Sequence, residues 1–104
     1  MIVEMRTYVI KPMMLKKFIA IYNNDIRETH VNILGNQIGF FYTEYGDLNN
    51  VIHLYGYTNH EDRDMRRAKL SENKDFLNYL DKVKDLIVNM KNEILIPTEF
   101  SKIR

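Results

Sequence analysis

The chain has 104 residues, of which 45% are hydrophobic, and a formal net charge of +1 at neutral pH. This length and composition are typical of one globular domain, so we expect a single domain over residues 1–104. The near balance of 15 basic and 14 acidic residues argues against nucleic-acid binding, and the absence of cysteine excludes disulfides and thiolate metal sites.

The first half of the chain predicts a strand, a helix and two more strands. Residues 2–10 are rich in β-branched and aromatic types, which favours a strand, and Pro12 suits the first turn of a helix. From residue 13 to about residue 30, apolar side chains recur at helical spacing: Leu15, Phe18, Ile19, Tyr22 and Ile26. Gly35 is a plausible stop for this helix, and residues 37–45 and 51–57 predict the second and third strands.

The second half predicts two helical segments and a last strand. Asn59 can cap a helix, Ser71 marks a break with a fresh cap, and residues 93–97 predict a short fourth strand. Between Ser71 and that strand runs a second apolar stripe: Phe76, Leu77, Leu80, Val83 and Ile87. The order β-α-β-β-α-β predicts an α+β, ferredoxin-like fold with a four-stranded antiparallel sheet and helices on one face.

The N-terminal segment bears on location. Glu4 and Arg6 interrupt its apolar residues, so it is neither a signal peptide nor a membrane span. From the sequence we expect a cytoplasmic protein with no membrane association.

Alternation along the strands divides the sheet residues between two faces. Val3, Met5, Thr7, Val9, Ile52, Leu54 and Gly56 share one face, and a more aromatic and charged set shares the other. A four-residue turn at 46–49 would place Tyr42 opposite His53 and Phe40 opposite Tyr55. We expect the smaller apolar set to lie under the helices and the aromatic set to be uncovered. Its roughly 400–600 Å² of ring surface predicts a homodimer in which a second copy covers it.

Four segments carry a family resemblance. "VEMRTYVIKP", "ILGNQIGFFYTEYGDLNNVIHLYGY", "DRDMRRAKL" and "ILIPTEFSKIR" closely resemble the NIPSNAP family over nearly the whole chain. The resemblance implies pairing as a dimeric α+β barrel, in which two ferredoxin-like sheets enclose a cavity. The chain departs from bacterial members at Met13, where they usually carry glycine, at Tyr55, where they usually carry tryptophan, and at Asn73-Lys74, where Asp-Pro is common. The small members look like proteins of unassigned activity, so the resemblance implies no reaction.

The predicted ligand site lies on the aromatic and charged face. Arg6, Glu44 and His53 are its candidates for acid–base chemistry, because a histidine beside a carboxylate is common material for proton transfer. The alternative is structural, with Arg6 satisfying the buried charge of a neighbouring carboxylate. The full set of predicted ligand-binding residues is Glu4, Arg6, Tyr8, Tyr42, Glu44, His53, Tyr55 and Tyr57.

The remaining polar residues do not predict a further functional site. His30, His53 and His60 lack metal-ligand spacing, so we expect no metal and no cofactor, and we expect His30 and His60 to be solvated at the surface. The charge run 62–67 is typical of a solvated helix face, with salt bridges to a partner as the alternative. Sheet aromatics can stack RNA bases, but residues 50–57 lack the basic-aromatic signature of RNA-recognition modules.

Two functions remain open from the sequence. The first is a barrel that binds or transforms a small hydrophobic or carbonyl-bearing molecule in its cavity, without a cofactor. The second is a non-catalytic protein-interaction module that acts as a dimer. An open cavity of ligand size would favour the first.

Overall fold

The computed structural model describes residues 1–104 and has the expected order of elements. The strands are β1 (Ile2–Ile10), β2 (Asn36–Tyr42), β3 (Asn50–Tyr57) and β4 (Ile87–Leu95). The helices are α1 (Leu15–Ile21), α2 (Arg27–Leu34), α3 (His60–Glu72) and α4 (Lys74–Val83). A π-helical turn, Tyr22–Ile26, joins α1 to α2, and a 3₁₀ turn, Lys84–Leu86, follows α4.

The sheet confirms the ferredoxin-like prediction. Its order is β2-β3-β1-β4, and every neighbouring pair is antiparallel. The central pair β1–β3 sets Arg6 opposite His53 and Glu4 opposite Tyr55. Directly opposed residues share a face, so these four side chains lie together.

Several element boundaries differ from the sequence prediction. The first helical stretch runs on to Leu34, where Gly35 ends it with a φ of 92°. The break before α4 lies at Asn73, whose Oδ1 accepts the backbone N–H of Phe76 at 2.9 Å, and not at Ser71, which stays in α3. Strand β4 starts at Ile87 rather than at residue 93, because α4 ends at Val83.

Pro12 also takes a different role. It precedes the helix in a turn closed by the Met14 N–H, which donates to the Lys11 carbonyl at 3.0 Å. Met13 occupies the third position of that turn with a φ of 70°. A proline at the second position and a positive φ at the third position are typical of a type II turn.

The β2–β3 hairpin is longer than predicted. Strand β2 ends at Tyr42, which pairs with Val51, while Phe40 pairs with His53. The predicted pairing was therefore wrong by two residues, because the connection occupies residues 43–49. A slip of two keeps residues 39–42 on their predicted faces. A bulge between Gln37 and Gly39 turns Gln37 towards Tyr55 on the covered face. The slip does leave Glu44 exposed in the loop rather than on the sheet.

The prediction about which face the helices cover is wrong. The aromatic and charged set lies under the helices: Tyr55 is 0% exposed, His53 4% and Glu4 0%. Tyr55 packs with Leu34 of α2 and Leu70 of α3 in one core cluster. The open face instead carries Met5, Thr7, Ile52 and Leu54, none of which is buried, and Phe41, which is 56% exposed. Large rings reach across the space between sheet and helices, and Arg63 of α3 satisfies the buried Glu4 there.

Candidate functional site

A cavity of about 650 Å³ lies between the sheet and the helices. Rings from the sheet form one wall and helix α4 forms another, and the first residues of β4 complete it. Most of the lining is hydrophobic. The lining residues are Tyr8, Phe18, Tyr22, His30, Phe40, His53, Arg67, Phe76, Tyr79, Leu80, Val83, Lys84, Ile87, Val88, Asn89 and Met90.

His53 and His30 are the two most deeply buried polar side chains of this lining, each 4% exposed. The Nδ1 of His53 lies 2.6 Å from the hydroxyl oxygen of Tyr55, and that hydroxyl accepts a hydrogen bond from Gln37 Nε2 at 3.5 Å. The Tyr55 hydroxyl can donate its proton to His53 Nδ1 while its oxygen accepts from Gln37, and we assign this tautomer, which has the histidine proton on Nε2. That Nε2 is the one buried side-chain polar atom without a hydrogen-bond partner in the protein.

The surroundings keep His53 neutral. Burial lowers its pKa to about 3, and the charge of Arg6, its cross-strand neighbour, acts in the same direction. The Tyr8 ring stands nearly perpendicular to the imidazole at 4.7 Å between centroids, and the Phe40 ring lies at 4.9 Å. His53 is therefore a hydrogen-bond donor in an aromatic wall, not a base near neutral pH.

Arg67 contributes a positive charge to the cavity lining. It makes no hydrogen bond and no ion pair within the chain, whereas Arg63 binds Glu4 and Arg66 binds Asp62. Burial lowers the pKa of the Arg67 guanidinium, and the nearby charge of Arg6 lowers it further. A guanidinium nevertheless remains protonated at neutral pH. The cavity wall thus presents an unpaired cation.

Glu4 is the carboxylate around which the arginines gather. Arg63 donates to Glu4 Oε2 from Nη2 at 2.7 Å and from Nε at 3.1 Å, and Arg6 Nη1 donates at 3.2 Å. Burial alone would raise the pKa of Glu4, but the Arg63 hydrogen bonds and the positive charges of Arg6, Arg63 and the more distant Arg67 outweigh it, so the pKa is lowered. With its oxygens engaged in this way, Glu4 is a structural anchor rather than a general base.

Helix α3 is therefore more than a solvated face. The sequence interpretation of the run 62–67 as solvated is wrong for Arg63, whose contact with Glu4 seats α3 on its own sheet and not on a partner. The signal was present in the spacing. Arg63, Arg67 and the buried Leu70 follow one another at four and three residues, which places them on one helix face.

His30 is also misplaced by the sequence prediction, because it is buried rather than solvated. It is 4% exposed, its Nδ1 lies 2.9 Å from the Tyr22 hydroxyl, and its ring stacks on Phe76. Burial lowers its pKa to about 4. Its position four residues after Ile26 continues the apolar helical stripe, which is the signal that would have identified it.

The eight predicted site residues are distributed unequally. Tyr8 and His53 line the cavity. Glu4, Arg6, Tyr55 and Tyr57 are buried beside it on the same sheet face. Tyr42 lines a separate cavity of about 480 Å³ between β2 and α1, and Glu44 joins neither. The structure thus brings together Glu4, Arg6 and His53 but not the predicted set Arg6, Glu44 and His53.

No three side chains of histidine, aspartate or glutamate converge closely enough to hold a metal ion. None of the helices combines the length and the apolar character that crossing a bilayer requires.

Comparison with known proteins places this architecture. The NIPSNAP family model matches residues 3–102. A NIPSNAP family protein from Agrobacterium tumefaciens is 37% identical, with 99% of this chain and 98% of that one covered and a TM-score of 0.96. A NIPSNAP-like domain protein from Burkholderia xenovorans is 40% identical, with 96% and 87% covered and a TM-score of 0.93.

Two more distant relatives differ from this chain in length or share only its fold. The Protein NipSnap homolog of Dictyostelium discoideum is 28% identical over 96 residues, which cover 92% of this chain and 42% of that protein. The chain therefore spans about two-fifths of the length of this curated relative. An antibiotic biosynthesis monooxygenase, 9% identical with a TM-score of 0.65 over 94% of this chain and 99% of that one, shares the fold alone.

Proposed function

The chain belongs to the NIPSNAP family, and we propose that it binds a small, largely apolar molecule in the cavity between its sheet and its helices. The observation that carries this proposal is the cavity itself. Its volume of about 650 Å³ falls within the range of ligand pockets, and its lining combines many hydrophobic side chains with few polar ones.

The polar groups support orientation of a ligand rather than proton transfer. Glu4 is held by two arginines and His53 is neutral, so neither is a base poised near pH 7. The unpartnered Nε2–H of His53 instead suits a carbonyl oxygen, which accepts a hydrogen bond without carrying a proton of its own. The site thus fits a hydrophobic, carbonyl-bearing molecule.

A neutral fluorescent probe tests this binding. N-phenyl-1-naphthylamine is apolar, carries no charge and fluoresces when it enters a dry site. We expect saturable binding by the wild type, and weaker binding by Leu80→Trp, because Leu80 lines the cavity and a larger ring would occupy it. Leu77→Trp is the matched control, since Leu77 is similarly exposed on the same helix but does not line the cavity. Equal binding by both variants would contradict the proposal.

The open sheet face supports a second proposal, that two copies associate through it. The strands β1, β2 and β3, about 4.8 Å apart and about eight residues long, present roughly 400 Å² of this face in projection, comparable to the largest apolar patch on a typical monomer. This part of the face is mostly apolar, with Met5, Ile52, Leu54 and Phe41, and a second copy of it is complementary by two-fold symmetry. The remaining strand, β4, contributes Lys91 and Glu93 to the same face. Such a homodimer differs from the one expected from sequence, because it uses the opposite face.

Sedimentation at micromolar concentration tests this association. We expect a dimer for the wild type and a monomer for Leu54→Lys, which places a charge on the open face. Leu77→Lys, on the outer side of α4, should remain dimeric. A folded wild-type monomer at that concentration would contradict the proposal and leave the cavity proposal intact.

A further inference from the structure

Resting on the proposed function, we infer that the cavity selects apolar molecules that bear a carboxylate, and that Arg67 binds this carboxylate while His53 provides a second hydrogen-bond donor. The inference concerns the class of ligand. It is carried by the charges around the cavity and by the hydrogen-bonding groups that the protein leaves unpaired.

The first step is the balance of charge. Arg6 and Arg63 share the single buried carboxylate of Glu4, Arg66 pairs with Asp62, and Arg67 has no carboxylate within ion-pair distance. A partly buried charge without a counter-ion is costly unless something else pairs with it. Arg63 also pairs with Asp64, so three acids (Glu4, Asp62 and Asp64) face four arginines (Arg6, Arg63, Arg66 and Arg67), and one positive charge is left over.

The second step is the composition of the lining. It contains no aspartate and no glutamate, and its other cation, Lys84, already lies 2.7 Å from Asp81. The one unpaired charge of the lining is the guanidinium of Arg67, and Nε2 of His53 is buried without a partner. Tyr79 and Asn89 add neutral polar groups that can donate or accept. The unpaired charge of the lining is positive. A complementary ligand must therefore supply acceptor oxygens and negative charge.

The third step limits the kind of anion. A guanidinium presents a planar pair of N–H groups that matches the two oxygens of a carboxylate. A phosphate monoester would bring about two charges and three oxygens into a lining that is mostly hydrocarbon and aromatic. One free cation and one neutral donor are sufficient for a carboxylate and insufficient for that larger charge.

The electrostatic state of the histidines agrees with this assignment. Burial is the largest cause of the lowered pKa of His30 and His53, and the charges of Arg6 and Arg67 lower both pKa values further. The cavity therefore has a positive potential. A bound carboxylate reduces that potential, whereas a cationic ligand would increase it.

Two isosteric compounds test the inference. 2-Naphthoate and 2-naphthamide share one ring system and differ in charge, and their affinities can be measured by calorimetry. We expect the wild type to bind the carboxylate about 10- to 100-fold more tightly, the range for a hydrogen bond to a charged group. Arg67→Met should reduce this ratio of affinities to near one, because it should weaken the binding of 2-naphthoate and leave the binding of 2-naphthamide unchanged. Arg67→Lys should keep part of the preference.

Lys69→Met is the control, because Lys69 is an exposed cation on α3 that does not line the cavity. It should leave the ratio unchanged. A wild type that prefers the amide would overturn the inference, and so would a folded Arg67→Met variant with an unchanged ratio. In both cases the amide still binds, so the proposed apolar site stands. Failure of the wild type to bind either compound or the neutral fluorescent probe would instead overturn the proposed function together with the inference.

Discussion

Replacing Met13 with glycine should stabilise the protein, although the change removes a side chain. Met13 has a φ of 70° at the third position of the Lys11–Met14 turn, a conformation that costs a residue with a Cβ about 1–2 kcal/mol. The side chain is 93% exposed, so its loss removes no packing. Glycine adopts a positive φ freely, and the resemblance to the family places glycine at this position.

The size of the effect follows from two opposing terms. Relief of the backbone conformation contributes about 1–2 kcal/mol, and the greater freedom of glycine in the unfolded chain costs about 0.5–1 kcal/mol. The net gain in the free energy of unfolding is about 0.5–1 kcal/mol. For a domain of this size it corresponds to an increase in Tm of about 2–8 °C.

Thermal unfolding followed by circular dichroism measures this change. Met13→Ala is the matched control, because it removes the same exposed side chain and keeps the Cβ. We expect Met13→Ala to remain within about 2 °C of the wild type. A decrease in Tm for Met13→Gly, or an equal increase for Met13→Ala, would refute the assignment of strain to the backbone at this residue.

Three further predictions concern titration, the buried ion pairs and the tail. The pKa of His30 is lowered to about 4 and that of His53 to about 3 in the folded chain, whereas both titrate near 6.5 when the chain is unfolded. The free energy of unfolding should therefore fall as the pH falls from about 6.5 towards 4. Denaturant titrations that show no loss of stability in this range would contradict the prediction. Glu4→Gln should destabilise the fold by about 3–5 kcal/mol in the same assay, because it leaves buried guanidinium groups without a carboxylate, and a loss below about 1 kcal/mol would contradict it. Deleting residues 99–104, which include Phe100 at 87% exposed, should weaken the proposed homodimer in a dilution series, and an unchanged dissociation constant would exclude the tail from the interface.

The order of elements and the parity of each strand could be predicted from the sequence. Strand β1 has the predicted bounds because its β-branched and aromatic residues are continuous, and the hairpin kept its parity even though its register moved by two. Strand β4 was predicted to start too late because Asn89, Lys91 and Asn92 break the apolar pattern in a strand at the edge of the sheet.

The choice of covered face could not be predicted from strand periodicity. Both faces carry enough apolar residues to be buried, and alternation separates them without saying which one meets the helices. The charges of Glu4 and Arg6 suggested solvent or a partner. Their burial depends on Arg63, which is 59 residues from Glu4 along the chain and reaches it only in the folded structure. The candidate site could likewise be predicted only in part. Alternation along β1 and β3 identified Tyr8 and His53, whereas the places of Arg67 and His30 in the site depend on tertiary packing.

The position of the cavity has a consequence for stoichiometry. All of its walls come from one chain, between a sheet and that chain's own helices. A site enclosed between two sheets would lie on the symmetry axis of a dimer, and it would hold one ligand for two chains. A site inside each chain is instead counted per chain, so a titration should saturate at one equivalent in a monomer and in a dimer alike. Sigmoidal saturation would require the two copies of the proposed dimer to communicate through their open sheet faces.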